Sequence, residues 1–360
     1  MSKQSESEPS LEEINESLYK RGLTDGLPVI PPTDERVEEM LRGTDHGRDH
    51  VLGTLGNNDN PITVEKLASN AVMAGCVPPY MPVLEAGVRA LADPDANSIQ
   101  FSVSTGSWAY RWTVNGPVRQ MLDIQSSSGA FGPYFRANRS IARALGIAYR
   151  NTARIHPGEK DMGVMGNPGK FSTLAGENEE MSPWEPYHVE QGFDAEDSTI
   201  TLAGPNSTVQ WFPAENTAEH VIRGMIRNTP ESMRASTGGG FDATILHICN
   251  PYNAEELGKA DLSKEEIKEY LVENSYVTKD EYNRRFPGDE KIPPRQQRQY
   301  DDVDAIEVMC IGGPGRVNAI MGTSIGGPVT HEIEFPNGWE ELVEEYAVER
   351  EWVPTEGFYD

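Results

Sequence analysis

The chain has 360 residues, enough for two or three average domains or one large α/β unit, and enough to bury a sizeable core. Hydrophobic residues make up 37% while Gly and Pro supply 34 and 26 positions, which excludes a disordered chain and predicts a globular protein rich in ordered turns. The 31 basic residues face 57 acidic ones, a net charge of −26, so nucleic acid and anionic membrane surfaces are excluded as partners: both need a concentrated basic face.

Such an acidic shell reads first as a solubilising surface and second as adaptation to a salt-rich, halophilic cytosol. MSKQSESEPS at the N-terminus lacks the apolar centre of a signal peptide, and no apolar run reaches membrane-spanning length, so a cytoplasmic location is expected. Cys76, Cys249 and Cys310 are odd in number, far apart and without Cys-x-x-Cys spacing, which argues against a disulfide framework or a structural zinc knuckle.

Residues 1–9 read as a polar tail, after which Ser10 and Glu13 form a capping-box pattern that opens a helix to about Arg21. DGLPVIPPTDERVEEML then gives an extended Pro-rich arm, a cap at Thr33 or Asp34 and a second helix; such an arm straps onto the body or onto a neighbouring subunit. PITVEKLASNAVMAGC spaces Val64, Leu67, Ala68, Ala71 and Val72 on one helical face, with Gly75 as its stop and Cys76 just beyond. PVLEAGVRALAD predicts another helix, SIQFSVSTG alternates as a strand, and WTVNGPVRQML runs from a strand through Asn115-Gly116-Pro117 into a helix. ANRSIARALGIAYRNTA is the clearest amphipathic helix of this half.

From His156 to about Asp197 periodicity fades, and a compact domain rarely keeps so long an irregular segment unless it is functional or mobile. Regular patterns then return: STITLAG as a strand, ENTAEHVIRGMIRN as a helix, FDATILHICNP as a buried strand, NAEELGKADLSKEEIKEYLVENSYV as helices and VDAIEVMCIGGPG as the last strong strand. The alternation predicts an α/β or α+β fold, with mixed sheets covered by helices and an N-terminal Pro-rich arm. The expected division is an N-terminal region over 1–60, a first α/β lobe over 61–197 carrying the long functional loop, and a second lobe over 198–360. No internal repeat is legible, and FPGDEKIPPRQQRQYDD reads as an exposed insertion or a strap to a partner subunit.

Two glycine-rich turns are candidates for holding an anion. IGGPGR, from Ile311 to Arg316 and including Gly313, follows an apolar strand, where bare backbone N–H groups can approach a ligand. It lacks both the dinucleotide fingerprint and the Lys-Ser/Thr ending of a P-loop, so a nucleotide is not expected and a structural turn is the plainer reading. In SSSGAFGPYFRAN, Ser127, Ser128 and Gly129 precede Arg136, whose guanidinium could orient a carboxylate substrate.

GENEEMSPWEPYHVEQGF packs five carboxylates and a histidine between prolines that disfavour regular pairing. His188 has Glu185 and Glu190 beside it and Glu177, Glu179 and Glu180 one short loop away, a set suited to general acid/base work or to a divalent metal at His188 and Glu180. No strong metal spacing is matched, and a solvated or structural histidine is the plainer alternative. His156 and His247 are weaker candidates. Cys76 follows a helix C-terminus, whose dipole raises a thiol pKa, so a core thiol is favoured over a nucleophile. Cys249 and Cys310, on apolar strands, read as packing residues. Lys170 in GNPGKF has glycine flanks that admit close approach of a ligand.

DGLPVIPPT, NNDNPITVEKLASNAVMAGC, VNGP, FGPYFRAN, GNPGKF, ENEEMSPWEPYHVE and the late IGGPG turn together resemble bacterial and archaeal proteins of the UGSC-type thiol or selenoprotein family and their companion subunits. The resemblance covers most of the chain. In that arrangement a partner domain carries a cysteine or selenocysteine in a short Gly-Ser-Cys context, and this chain has no Cys-Gly-Ser-Cys. The resemblance marks Asn70, Cys76, Asn115, Arg136, Asn138, Lys170, Glu179, Glu180 and His188 as motif positions, and implies an oxidoreductase.

Three functions are therefore in contention. The first is an enzyme on a small anionic organic substrate, with Arg136, Asn115, Asn138, Ser127, Ser128 and Gly313 binding it, His188 with Glu179 or Glu180 moving protons, and redox chemistry through Cys76 or a partner thiol. A lyase or hydrolase would need only the acid/base or metal part of that set. The third is a ligand-binding or scaffold subunit beside a thiol or selenoprotein partner, and in each case a homo-oligomer is expected. An active site requires Cys76, Lys170, Arg136 and His188 to converge, with the glutamates near His188 meeting Arg136 or Lys170 across a cleft.

Overall fold

The computed structural model describes residues 9–230, 233, 235, 242–276, 278, 280, 283–284, 287–288 and 298–349. Helix α1 (Leu11–Lys20) opens on the Ser10/Glu13 capping box, and α2 (Asp34–Leu41) is capped by the Thr33 side chain. The Pro-rich arm between them straps onto its own chain. Asn15 accepts the Val29 N–H at 2.7 Å, Ile30 donates to the Met73 carbonyl at 3.2 Å, and Arg143 grips Asp25 through contacts of 2.7 and 2.9 Å. A hairpin for which the sequence carried no expectation, β1 (Val51–Leu55) and β2 (Asn60–Thr63), follows. Helices α3 (Val64–Ala74), ending at Gly75 in the left-handed conformation, and α4 (Met81–Ala92) form as expected.

SIQFSVSTG does not form a strand. Its centre is the helical turn α5 (Gln100–Val103), in which Phe101 and Ser102 donate to the Ser98 and Ile99 carbonyls. Its alternation had no neighbouring strand to pair with, and Phe101 is instead buried beside Gly204.

The first sheet contains β3 (Arg111–Asn115), β4 (Leu174–Gly176) and β5 (Thr199–Ala203). Between β3 and β4 lie the turn α6 (Val118–Met121) and the long amphipathic α7 (Arg136–Ala153), and between β4 and β5 the short α8 (Tyr187–Glu190). The second sheet contains β6 (Pro205–Trp211), then, after α9 (Ala218–Asn228), β7 (Ala243–Cys249). After α10 (Pro251–Lys259) and α11 (Lys264–Asn274) come β8 (Ile306–Cys310) and β9 (Asn318–Ile325). The last described elements are β10 (Val329–Glu332) and α12 (Trp339–Tyr346), which returns to the first half: Trp339 Nε1 donates to the Pro79 carbonyl at 2.9 Å and Arg42 pairs with Glu345 at 2.6 Å.

Strand alternation sorts the core into layers. Trp112, Val114, Ile200 and Leu202 pack under α4 and α7, while Ile245, Cys249, Ile306 and Val308 pack under α9, α10 and α11. Residues of opposite parity, Ala175, Leu246, Ile248, Met309 and Met321, form a third cluster between the two sheets. The result is a helix–sheet–sheet–helix stack. Within the sheet interface Arg111 of β3 meets Glu307 of β8 at 2.5 Å, both essentially solvent-free, and Thr244 Oγ1 donates to the second Glu307 oxygen at 3.2 Å. The α/β class and the mixed, helix-covered sheets are thus those expected from the sequence.

The strand orders are β10-β5-β3-β4 and β6-β9-β7-β8. In each, a central strand pairs in parallel with the next strand of the chain and antiparallel with the one after it (β3 with β4 and β5; β7 with β8 and β9). The fourth strand of each set then leaves its own sheet: β6 pairs with β9, and β10 pairs with β5. Two copies of one β-α-β-β-β unit therefore exchange their last strands, a repeat the sequence reading missed because a fold repeat needs only matching hydrophobic patterns and turns. The sheets change over at Gly204 rather than at 197/198. There Ile325, at the other crossing, donates to the Gly204 carbonyl at 3.1 Å, and a side chain at 204 would overlap Phe101.

Among the described residues no helix is long and apolar enough to cross a membrane. Most of FPGDEKIPPRQQRQYDD, and the tail at 1–8, lie outside the described residues.

Candidate functional site

The repeat places the two sequence features of most interest at corresponding points. GENEEMSPWEPYHVEQGF lies in the β4–β5 connection and IGGPGR in the β8–β9 connection. The last paired residues of the parallel ladders are Val114 with Gly176 and Cys249 with Cys310. Asn115 and Asn250 follow immediately, and each is succeeded by a proline within two residues. Three residues past Gly176 stands Glu179, and three past Cys310 stands Gly313.

In the first unit this strand end is filled by the protein's own carboxylates. Glu179 Oε1 accepts from Asn115 Nδ2 and from the Gly116 N–H, both at 2.9 Å, and its other oxygen accepts from Arg119 at 2.6 Å. Arg119 also donates to the Glu177 carbonyl at 2.6 Å and to Glu180 at 3.0 Å, while Gln120 donates to Glu180 at 2.7 Å. Burial pulls the Glu180 carboxyl up, but its bonds to Arg119 prevail and hold it below its ordinary value. Glu177 is fully buried and accepts from Asn115 and from the Tyr187 N–H, both at 2.7 Å, with Lys264 at 3.8 Å. Burial outweighs that cation and raises the Glu177 carboxyl above its ordinary value.

His188 departs from its expected role. It is buried, and neither ring nitrogen has a hydrogen-bond partner among the described residues. Glu190 pairs instead with Lys264 and Lys268, each at 2.7 Å, Glu185 is exposed, and Glu179 and Glu180 are held by Arg119. Glu179, Glu180 and Glu190 found closer cations, so His188 has no proton-transfer partner among the described residues. Nor is there a metal site at His188 and Glu180: among the described residues no group of three or more His, Cys, Asp or Glu side chains is placed to hold a metal ion.

In the second unit the corresponding strand end opens into a cleft of about 530 Å³. Its walls are the Ser128–Gly132 turn and the Ile311–Ala319 loop, and Gln210, Ile248 and Asn250 complete it. The turn is wedged between the ends of β4 and β8, where Gly176 donates to the Gln125 carbonyl at 3.0 Å and Gly312 to the Ser126 carbonyl at 2.8 Å. Asn138, expected to touch substrate, anchors this turn from behind: it accepts the Gln125 N–H at 2.8 Å and donates to the Ala130 and Leu174 carbonyls at 3.2 and 3.1 Å. Ser127 does not line the cleft; it closes the turn, its N–H on Gln125 Oε1 at 3.1 Å.

Two asparagines hold the ends of the glycine-rich loop. Asn178 donates its N–H to the Cys310 carbonyl at 2.7 Å and its amide to the Gly312 carbonyl at 3.0 Å. Asn250 donates to the Val317 carbonyl at 3.2 Å and to Asn318 Oδ1 at 2.8 Å. Between these clamps the N–H groups of Gly313, Gly315 and Arg316, and the Arg316 guanidinium, have no partner among the described residues. Gly313 is required by close approach: a Cβ there would overlap the Ser128 hydroxyl. Ser128 and Gly313 are thus brought together, and so are Asn115, Glu179 and Glu180, but on opposite units.

The remaining candidates disperse. Arg136 opens on a separate cleft of about 470 Å³ that includes Tyr134 and Tyr346, and donates to the Gly75 carbonyl at 3.4 Å beside Cys76. Lys170 is held by Asp161 at 2.9 Å and by the Phe101 carbonyl at 2.9 Å. Asn70 is a helix residue that accepts from Asn151 at 2.7 Å. His156 packs against the Gly22 turn, and His247, buried on Tyr300 OH at 2.8 Å, is driven by burial down to about 3. The expected convergence of Cys76, Lys170, Arg136 and His188 therefore does not occur: Arg136 lies near Cys76, but Lys170 is held by Asp161 and His188 is buried in the β4–β5 connection.

The thiols are poorly placed for redox work. Burial pushes Cys76 up to about 12 despite Ser140, Arg136 and Arg143 nearby, pushes Cys249 up to about 12, and raises Cys310 as well. At pH 8 a group of pKa 12 is ionised to about one part in ten thousand, and the thiolate is the reacting form. All three cysteines are expected to resist iodoacetamide for hours at pH 8 in the native protein and to react within minutes in 6 M guanidinium, read by mass spectrometry. Rapid native labelling of Cys76 would restore the nucleophile reading.

Arg119, Asn178, Asn250 and Asn318 were not singled out in the sequence. The signal that could have found them is the recurrence of Asn-(Gly)-Pro after β3 and β7 and of a Gly-Pro crossing in LAGP and IGGP before β6 and β10. The chain matches no protein-family model, and no curated protein matches it.

Proposed function

We propose that this chain binds a small anionic organic molecule in the cleft between the Ser128–Gly132 turn and the Ile311–Ala319 loop, and that it works as a ligand-binding subunit of a cytoplasmic assembly. The observation that carries this reading is electrostatic. In a chain of net charge −26 the described residues of the cleft walls include no carboxylate, and they carry Arg316 together with backbone N–H groups that have no partner among the described residues. A site surrounded by negative charge but lined without it favours an anion at that point alone.

Among the described residues no histidine, cysteine, lysine or carboxylate lines the cleft, so on this reading acid/base or thiol chemistry on the bound molecule falls to a partner. The resemblance to thiol and selenoprotein companion subunits supplies the class of that partner. A second reading, an acid/base enzyme, is favoured by Glu177, a buried carboxyl of raised pKa one residue from the Asn178 clamp.

A thermal-unfolding screen of the lone chain against acetate, butyrate, succinate and phosphate at matched ionic strength tests the binding reading. At least one anion is expected to raise the midpoint saturably, by a few degrees at about 100 times its Kd, and Arg316→Gln is expected to abolish the rise. No rise beyond that of chloride for any of the four would overturn it.

A further inference from the structure

We infer that a second copy of this chain adds to the second sheet along β6, antiparallel to the first, with the two-fold axis at Val209; the inference is independent of the binding reading above. Of the four edges of the two large sheets, β4 and β8 are buried, and β10 is four residues long and ends on Glu332. β6 has seven residues, of which Asn206, Ser207, Thr208 and Gln210 are exposed, and among the described residues no strand pairs with its outer side. Such an edge presents a row of backbone N–H and C=O groups able to pair with another chain, and it is ordinarily blunted by charged side chains. β6 has none: no ionisable side chain occurs from Ser198 to Ala214.

Charge and register point to a second copy as the partner. A net charge of −26 opposes contact between two copies at any acidic face, so self-association needs a neutral patch. The loop from Met162 to Gly169 extends the neutral surface of β6: it carries no charge, and the flanking Asp161 and Lys170 pair with each other at 2.9 Å. Its Asn167 amide ties it to the strand, donating to the Ser107 and Asn206 carbonyls at 2.8 and 3.1 Å. Val164 and Met165 stand 75% and 88% exposed on this loop, and Phe212, just past β6, is 68% exposed, an apolar display that suits an interface. With Ala109 donating to the Pro205 carbonyl at 2.9 Å and Asn167 on that of Asn206, the free edge is Ser207 to Trp211. The symmetric antiparallel register that uses all of it is centred on Val209 and sets Thr208 opposite Gln210 of the partner subunit. It also sets Asn206 opposite Phe212 of the partner subunit, so each exposed phenyl ring arrives beside the other copy's Val164–Met165 loop. The contact is thus self-complementary, as a two-fold interface requires. Gln210 also lines the 530 Å³ cleft, so the added strand runs along its rim.

The test is sedimentation equilibrium of the full chain in about 1 M KCl, which shortens the reach of its net charge to about 3 Å. A dimer is expected at tens of micromolar. Thr208→Glu/Gln210→Glu sets like charges opposite each other at two places and is expected to weaken the dimer at least about tenfold, whereas Thr208→Lys/Gln210→Glu sets opposite charges there and is expected to stay within about threefold of wild type. Val209→Cys meets its own copy at the axis and is expected to cross-link into a disulfide dimer with copper phenanthroline and oxygen; Ser207→Cys, about 13 Å from its copy, is expected not to. A monomer throughout overturns the inference. So does a dimer that the Glu/Glu variant leaves intact or that Val209→Cys fails to cross-link, because the contact then lies on another surface. Equal loss in both double variants overturns the register.

Discussion

Replacing Glu307 by alanine is expected to cost about 3–5 kcal/mol of stability, the largest single effect of any substitution considered. Arg111 is fully buried between the sheets, its Nη2 on Glu307 at 2.5 Å and its Nη1 on Thr113 at 3.2 Å, and its Nε already lacks a partner among the described residues. Without the carboxylate the guanidinium keeps its charge and has neither water nor a counter-ion, and that uncompensated desolvation is what the variant reads. The pair itself is a different quantity. Arg111→Met/Glu307→Leu, which removes both charges and adds apolar volume between Met309 and Thr244, is expected to recover most of the loss. Urea midpoints of the two single variants and the double variant measure the difference. A Glu307→Ala loss below about 1 kcal/mol would show that Arg111 reaches solvent by local opening of the sheet interface.

Arg119→Met is expected to cost about 2–4 kcal/mol, because one buried guanidinium satisfies Glu179, Glu180, the Glu177 carbonyl and the Gly116 carbonyl together. Its pH dependence separates this role from simple packing. Burial raises Glu180 but Arg119 prevails, so its folded pKa lies below the ordinary value of 4.5. That contribution is present above pH 4.5 and is lost as pH falls through the folded value. Glu177 runs the other way: burial raises its folded pKa above 4.5, so its contribution is complete below 4.5 and is lost as pH rises through the folded value. Removing Arg119 removes the Glu180 part, so the variant is expected to lose less of its remaining stability than wild type between pH 5 and pH 3. Urea midpoints at three pH values in that window check it, and equal losses would mean that Arg119 does not set the Glu180 titration.

The exchange of strands explains why an acidic segment and a glycine-rich turn, far apart in sequence, belong to one question. Both are connections that leave the carboxyl end of a parallel strand pair, the place where α/β sheets collect ligands. In one copy the connection is long, carries Glu179 and closes on itself. In the other it is short, and the lack of a side chain at 313 lets Ser128 pack against it beside the cleft. Asn178 joins the two, since the acidic connection supplies the amide that fixes the start of the glycine-rich one.

Local features were legible from the residues alone. The Ser10/Glu13 capping box, the Gly75 stop, the faces of α3 and α7 and the apolar runs of β7 and β8 all follow from short-range rules, since caps, turns and periodicity act within a few residues. Ser128 and Gly313 were also marked in sequence, each as part of a turn able to approach an anion. What only the tertiary structure decided was pairing. His188 lost its glutamates to Arg119 and to the lysines of α11, Lys170 went to Asp161, and β6 and β10 changed sheets. The physical reason is the same in each case: a charged group or a strand edge takes the best partner within a few ångströms, and which groups lie that close is set by long-range closure of the chain, to which local sequence carries no address.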